Sequence, residues 1–306
     1  MSEDHKERSP DLGQEIRASE GVDALPGRLD RYGKAKNRAV DVAEYIGQHL
    51  DGEGPLARRV GACGEYLLFR HYYTADLLRL HAASFCMKHL LCPLCAIRRG
   101  AKALKAYLDR WEVIQQDHPA LRPFLVTLTV KDGDNLAERF RHLHESQRAL
   151  WMRKHRGRGC VLDGVAGAVW SYEVKRGAGS GLWHPHLHMI ALAEVEPSQE
   201  RLSREWHAVT GDSHVVDVRP ISQEDPASGF IEVFKYAVKA SDMELADTVH
   251  AHQTLRGKRL IASAGCFRGV EVPEELTDEP LEGLPFVELL FRHLGGQYRP
   301  INRATR

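Results

Sequence analysis

Apolar positions between residues 119 and 269 switch repeatedly between a period of two and a period near 3.6, which predicts strands alternating with helices. The predicted strands lie at 124–130, 165–174, 183–193 and 214–218, and the helices between them at 136–150 and 198–206. Asp132-Gly133-Asp134 ends the first strand, and the glycine-rich segment 177–181 separates the second from the third. The predicted order is therefore strand, helix, strand, strand, helix, strand.

This order is typical of the split βαβ arrangement, in which helices cover one face of an antiparallel sheet. The sequence thus predicts an α+β fold with a ferredoxin-like (βαββαβ) sheet, whose other face is open for a site. Further helices are predicted at 39–49, 97–116 and 229–240, and a short one at 287–293.

Four consecutive segments follow from this pattern. Residues 1–35 are polar, charged and without periodicity, and we expect disorder there. Residues 36–118 form a helical, cysteine-rich region, residues 119–269 form the βαββαβ domain, and residues 270–306 form a C-terminal extension that begins with an acidic stretch.

Composition is that of an ordinary globular protein, with 43% hydrophobic and 27% charged residues in 306. No apolar run approaches the roughly 18 residues of a membrane span, and the charged amino terminus lacks a secretory signal. We therefore expect a cytoplasmic protein with no membrane partner. The net charge is zero, with 42 basic and 42 acidic residues, so only local basic patches could contact nucleic acid. Those patches lie at 98–105, 153–158 and 256–259.

Three histidines alternate along the strand predicted at 183–193. His184, His186 and His188 point to one face, because side chains alternate across a strand. Two imidazoles about 7 Å apart can converge on one cation when their rings tilt inward. We predict that His186 and His188 bind a metal ion, with His184 at the mouth of the strand as a further ligand. Glu173 on the preceding strand is the candidate anionic ligand.

The helix predicted at 229–240 places a tyrosine between charged residues. Glu232, Tyr236 and Lys239 fall at positions i, i+4 and i+7 and so share one face. A phenol has a pKa of about 10 and becomes a useful nucleophile only beside a cation or base. Lys239 and a divalent ion would provide that help, which makes Tyr236 a candidate nucleophile, although such a tyrosine is also a common core residue.

Four of the six cysteines lie close together, at Cys63, Cys86, Cys92 and Cys95. A Cys-Pro-x-Cys turn offers two thiolates to one tetrahedral ion, and a second pair completes a structural zinc site. Cys63 is the weakest of the four by spacing, and His81 or His89 remains an alternative ligand. Cysteines grouped in this way in a cytosolic chain favour metal over disulfides.

In this order, the three motifs resemble the rolling-circle replication initiators (Rep) of small bacterial plasmids, within the HUH endonuclease superfamily. The resemblance extends from about Cys63 to Gly269. It rests on the cysteine segment followed by Arg98-Arg99, on Thr127-Leu128-Thr129, on His186-Leu187-His188, on the Glu232, Tyr236 and Lys239 helix, and on Gly257-Lys258-Arg259 leading to Ser263-Ala264-Gly265.

The resemblance implies an HUH single-strand DNA endonuclease and strand transferase over residues 119–269. His186, His188 and Glu173 would hold Mg²⁺ or Mn²⁺, and the four cysteines would hold Zn²⁺. Tyr236 would attack the scissile phosphate, leaving a 5′-phosphotyrosine and a free 3′ hydroxyl that primes synthesis.

Two further roles and the partners also come from the resemblance. Lys239 would stabilise negative charge at the nucleophile or phosphate, and Glu232 would activate water in the terminating cleavage. The implied partners are plasmid origin DNA, single-stranded or supercoiled duplex, with the host helicase and polymerase. The cysteine-rich region and the basic patches would contact that DNA.

Three alternatives remain. A single-tyrosine transposase or relaxase of the same superfamily would share these motifs. A zinc-containing single-strand nucleic-acid binding module would lack catalysis, but such modules stack bases on sheet aromatics, and the predicted open face has few. A metal hydrolase of the amidohydrolase type requires more strand–helix units than this chain offers.

Overall fold

The computed structural model describes residues 21–157, 159–235 and 243–301. Their helices are α1 (Leu25–His49), α2 (Gly54–Gly61), α3 (Pro93–Asp117), α4 (Leu136–His155), α5 (Gln199–Thr210), α6 (Pro226–Phe234) and α7 (Leu245–Leu255). Their strands are β1 (Tyr66–Tyr72), β2 (Leu77–Ala83), β3 (Arg122–Thr129), β4 (Val165–Arg176), β5 (Trp183–Ala193), β6 (Val216–Pro220), β7 (Ile261–Gly265), β8 (Val287–Leu294) and β9 (Gln297–Pro300). None of the described helices has the length and apolar character that crossing a bilayer requires.

The chain divides into two compact units. The first unit contains the described residues 21–102, 243–249 and 273–301, and the second contains 103–157, 159–235 and 250–272. The units are not the consecutive segments that the sequence predicts, because the C-terminal strand β8 pairs with β1 more than 200 residues earlier. Hydrophobic periodicity reports local structure and cannot identify such distant partners.

The first unit is built on an antiparallel sheet in the order β2-β1-β8-β9. One face of this sheet carries Leu67, Phe69 and Phe291 into a core shared with α1, where the guanidinium of Arg28 lies 5.3 Å from the ring centre of Phe69. Two predictions are wrong here. Part of the segment expected to be disordered is helical, since α1 begins at Leu25, and the segment 287–293 is a strand rather than a helix.

A buried ion-pair network fixes the acidic segment to this core. Asp278 pairs with Arg28 at 3.0 Å and also with Arg98, and it accepts the backbone N–H of Leu80 at 2.7 Å. Burial alone would raise the pKa of Asp278, but the charges of Arg98 and Arg28 lower it well below its ordinary value. This carboxylate therefore stabilises the fold in its ionised form.

The second unit contains a five-stranded antiparallel sheet in the order β6-β3-β5-β4-β7. The predicted order of elements between residues 122 and 220 is present, and the α+β class with antiparallel sheets is confirmed. Local chemistry sets the helix ends: Asn135 caps α4 by accepting the N–H of Glu138, and Ser198 caps α5 by accepting that of Arg201.

Helices lie on both faces of this sheet, which corrects the prediction that they lie on one. Tyr172 of β4 contacts α4, where its hydroxyl donates to Gln147 at 3.2 Å. Ser171 points to the other face, and its hydroxyl donates to the carbonyl of Val233 in α6. The open face of the sheet is therefore partly covered by α6, because the apolar residues of that helix, such as Phe230 and Phe234, need a surface to pack against.

Candidate metal centres and active site

The register of the second unit's sheet brings the predicted imidazole and carboxylate ligands together. Glu173 of β4 lies directly opposite His186 of β5. The Nε2 atoms of His186 and His188 each lie 3.5 Å from a different oxygen of the Glu173 carboxylate. The three ligand atoms all lie within 4.8 Å of one another, and Glu173 is only 1% exposed. Ligands about 2.1 Å from one ion are separated by about 3–3.5 Å, so this spacing fits a shared cation.

Hydrogen bonds at the far side of each imidazole fix the ring orientation. The Nδ1 atom of His186 lies 3.3 Å from the carbonyl oxygen of His184, which can only accept a hydrogen bond. A neutral His186 therefore presents a lone pair at Nε2 towards a carboxylate that also only accepts. A cation between them resolves this conflict. The hydroxyl of Thr127 lies 3.1 Å from Nδ1 of His188 and orients the second ring by a hydrogen bond.

His184 is not part of this group. Its Nδ1 lies 2.5 Å from a carboxylate oxygen of Asp132, and Asp132 also accepts a hydrogen bond from Ser180. Burial alone would raise the pKa of Asp132, but the hydrogen bonds from Ser180 and His184 lower it. The ring of His184 remains close to the group, with its centre 5.2 Å from that of His186. The structure thus places His184 beside the three-residue cluster, in contact with a carboxylate.

Helix α6 ends beside this cluster. The carbonyl of Val233 accepts a hydrogen bond from Ser171, which lies opposite His188 in the β4–β5 register and two residues before Glu173. Near the same end of the helix, Glu232 forms an ion pair with Lys235, which is 9% exposed.

Of the three residues predicted to share a face of this helix, the structure describes only Glu232. Tyr236 and Lys239 lie outside the described residues.

The four predicted cysteine ligands meet in the first unit. The sulfur of Cys63 lies 3.5 Å from that of Cys95 and 3.4 Å from that of Cys92, and Cys86 lies 3.6 Å from Cys95. Tetrahedral Zn²⁺ with bonds of about 2.3 Å separates its sulfurs by about 3.8 Å. All four residues are buried, and the cluster contains neither His81 nor His89.

The backbone next to Cys63 packs closely against neighbouring side chains, and this requires a glycine at position 64. Gly64 has a φ of +70°, and a Cβ there would lie 2.6 Å from the side chain of Leu94. Its carbonyl accepts a hydrogen bond from Tyr298 at 2.6 Å.

Contact with Cys63 and burial raise the pKa of the Cys92 thiol, so four thiolates at this spacing need a cation to offset their charge. Burial lowers the pKa of Lys36, whose ammonium group donates a hydrogen bond to the carbonyl of Gly61.

The sequence motifs did not identify Asp132, Thr127 or Lys235 as part of these sites. Asp132 follows a predicted strand, but its contact with His184 depends on the bridge between Gly133 and Trp183, which joins its loop to β5. Thr127 belongs to a strand motif that the sequence identified, although its position opposite His188 depends on the β3–β5 register.

Comparison with known proteins agrees with this arrangement of motifs. The family model for the replication protein family Rep_1 matches residues 77–288. A protein named Protein rep from Streptococcus pneumoniae serotype 2 is 26% identical over 241 residues, covering 73% of each chain. Another Protein rep, from Lactiplantibacillus plantarum, is 27% identical over 280 residues, covering 82% of this chain and 84% of the relative. No solved structure gives a significant match. Since the family model spans more than half of the sequence, the chain belongs to the Rep family of plasmid replication initiators.

Proposed function

We propose that this Rep protein starts rolling-circle replication by nicking one strand of the plasmid origin with Tyr236. The observation that carries this proposal is the Glu173, His186 and His188 cluster on a sheet face that also contacts the end of α6. A cation held beside the end of α6, which precedes Tyr236 in the sequence, would stabilise charge in phosphoryl transfer to that tyrosine. Cleavage leaves a 3′ hydroxyl, which a host polymerase would extend, and a host helicase is a further proposed partner.

The topology supports assignment to the HUH fold. In chain order, the strands of the βαββαβ segment are β3, β4, β5 and β6, and in the sheet they are arranged β6-β3-β5-β4. We infer that this is a ferredoxin-like sheet extended by β7, with the metal ligands on the adjacent strands β4 and β5. The histidines then occupy a rigid element, which favours precise ligand geometry.

Glu173, His186 and His188 would hold Mg²⁺ or Mn²⁺. These ions accept mixed carboxylate and imidazole ligands and keep open positions for phosphate oxygens. When bound, such an ion polarises the scissile phosphate and offsets charge in an in-line displacement. The four cysteines would hold Zn²⁺, which offers no open position in a four-thiolate site and so stabilises the fold.

The chain's own residues would supply the nucleophile, stabilise charge and transfer protons. In the sequence, Tyr236 directly follows Lys235, which caps the C-terminal end of α6. Its phenol oxygen would bond to phosphorus while the bond to the 3′ oxygen breaks, and that oxygen would gain a proton. Lys239 would stabilise the phosphate charge. Glu232, now paired with Lys235, would take a proton from water in the terminating cleavage.

The test of the nucleophile uses purified full-length protein, supercoiled origin DNA and Mn²⁺. We expect nicked circles with covalently attached protein from the parent and none from Tyr236→Phe, which lacks only the phenol oxygen. Tyr73→Phe is the matched control, since Tyr73 is 54% exposed in the first unit, and it should nick like the parent. Covalent product from Tyr236→Phe would refute the proposal.

The role of Glu232 needs a separate variant. Glu232→Ala should still form the covalent adduct but release DNA slowly in the terminating cleavage, because water is no longer activated. Turnover of this variant at the parent rate would show that Glu232 has another function, such as pairing with Lys235 alone.

A further inference from the structure

The sheet of the first unit has a second face that points away from its core, and we call it the outer face. Alternation places it opposite the buried side chains of Leu67, Phe69 and Phe291. At the end of the sheet where β1 begins and β9 lies, the outer face carries Tyr66, Leu68, Leu290, Arg292, Leu294, Gln297 and Arg299. Several are well exposed, including Tyr66 at 38% and Leu294 at 47%.

Two arginines and a tyrosine form one row across this face. Arg299 of β9 lies directly opposite Arg292 of β8, and Arg292 lies directly opposite Tyr66 of β1. Directly opposite side chains have Cβ atoms about 4.5–5.5 Å apart, and like charges in that position repel. Within the described part of the chain, neither arginine has an ion pair with an acidic residue.

Two acidic parts of the first unit make their contacts elsewhere. Glu288, an acid on the same strand and face, pairs with Arg70 at 3.3 Å. The acidic segment reaches the sheet at its other end, where the N–H of Leu281 donates to the hydroxyl of Tyr72. Tyr72 lies six residues from Tyr66 along β1, or about 20 Å at 3.3 Å per residue. Among the described residues, the arginine pair is thus exposed, has no acidic ion-pair partner and lies next to an accessible aromatic ring.

We propose that this end of the outer face binds single-stranded DNA, with Arg292 and Arg299 on phosphates and a base stacked on Tyr66. Such surfaces combine basic side chains along the backbone with aromatic rings for the bases. The proposal rests on DNA being the ligand of this Rep protein, but it requires no nicking chemistry. It gives the first unit a DNA-contacting role that is separate from its cysteine cluster.

The chemistry of the row favours a single strand over a duplex. A duplex presents phosphates on its outside and keeps its bases stacked within, so it would use the arginines but leave Tyr66 and Leu294 without a partner. Unpaired bases offer planar apolar faces that fit both side chains. A strand with free bases therefore offers partners to the exposed apolar residues and to the basic residues together.

The experiment measures binding of a fluorescein-labelled oligothymidylate of roughly 20 nucleotides by anisotropy, without added divalent ion. The full-length Tyr236→Phe chain is used throughout, so that cleavage does not contribute. Arg292→Ala/Arg299→Ala should raise the Kd about tenfold, and the slope of log K against log salt should fall by about 1.4, or about 0.7 per lost phosphate contact. Tyr66→Ala should also weaken binding about tenfold, whereas Tyr66→Phe, which keeps the ring, should bind like the parent.

The matched control is Arg58→Ala/Arg59→Ala, which removes the same charge from exposed positions on α2 of the same unit. This variant should bind nearly as the parent does. Arg292→Lys/Arg299→Lys should keep the salt dependence, which separates loss of charge from misfolding.

Parent-like binding by the alanine pair, or an equal loss in the control, would overturn the proposal. A loss for a 20-bp duplex as large as for the single strand would also overturn it, in favour of a duplex surface. None of these results depends on whether Tyr236 is the nucleophile.

Discussion

The two candidate metal centres differ in how the chain builds them. The cysteine cluster of the first unit takes its ligands from loops and from the start of α3, and all four are buried. The Glu173 cluster of the second unit takes its ligands from two adjacent strands, and His188 keeps 11% of its side chain exposed. The first is a closed set of four soft ligands, and the second is a set of three mixed ligands. A metal in the first can only stabilise structure, whereas a metal in the second has positions left for a substrate.

The largest expected effect concerns the stability of the closed cluster. Cys92→Ser should abolish stoichiometric zinc binding and the cooperative melting of the first unit, because structural zinc contributes about 10–16 kcal/mol in small zinc-dependent folds. Zinc content and calorimetry measure both effects. Cys266→Ser, which changes a cysteine of the second unit outside the cluster, is the control and should retain its zinc. If Cys92→Ser melts like the parent, the cluster is not a structural metal site.

The second effect concerns function rather than stability. Glu173→Gln should lower the nicking rate by about 10²- to 10³-fold or more and weaken Mn²⁺ binding, because the anionic ligand is lost. Thermal stability should change little, since an amide is less costly to bury than a carboxylate. Titration of Mn²⁺ by calorimetry, with the exposed Glu194→Gln as control, checks this. A collapse of stability in Glu173→Gln would mean that the two centres do not differ as described.

The smallest effect tests how the imidazoles are oriented. Thr127→Ala should raise the Kd for Mn²⁺ about tenfold, because the hydroxyl that lies 3.1 Å from Nδ1 of His188 is lost. Thr129→Ala is a matched control on the same strand and face, where the hydroxyl donates instead to the carbonyl of Val215. Equal affinities of the two variants would show that the contact between Thr127 and His188 does not tune the site.

Much of the second unit could be predicted from its sequence. Strands β3 to β6 and helices α4 and α5 have clear periodicity and capping residues such as Ser198, so the order of elements was correct. The first unit was predicted less well. The sequence pattern does not identify β1 and β2, which adjoin the cysteine motifs. It predicts a helix in place of β8, because short apolar runs fit either period.

In the candidate sites, the sequence predicts the local motifs but not the contacts between distant segments. The spacing of His186 and His188 predicts one face of a strand, and the spacing of Cys92 and Cys95 predicts a metal-binding turn. The contact between Asp132 and His184 could not be predicted, because it joins a loop to a strand more than 50 residues later.

The sequence by itself determined which chemical groups are available: an imidazole pair at strand spacing, a group of thiols and a tyrosine between charged residues. Only the tertiary structure decided that Glu173 faces His186 across two strands, that Cys63 joins the other three cysteines, and that Arg292 lies beside Arg299. The reason is physical. Local patterns depend on backbone geometry within a few residues, whereas strand register and long-range pairing depend on how the whole core packs.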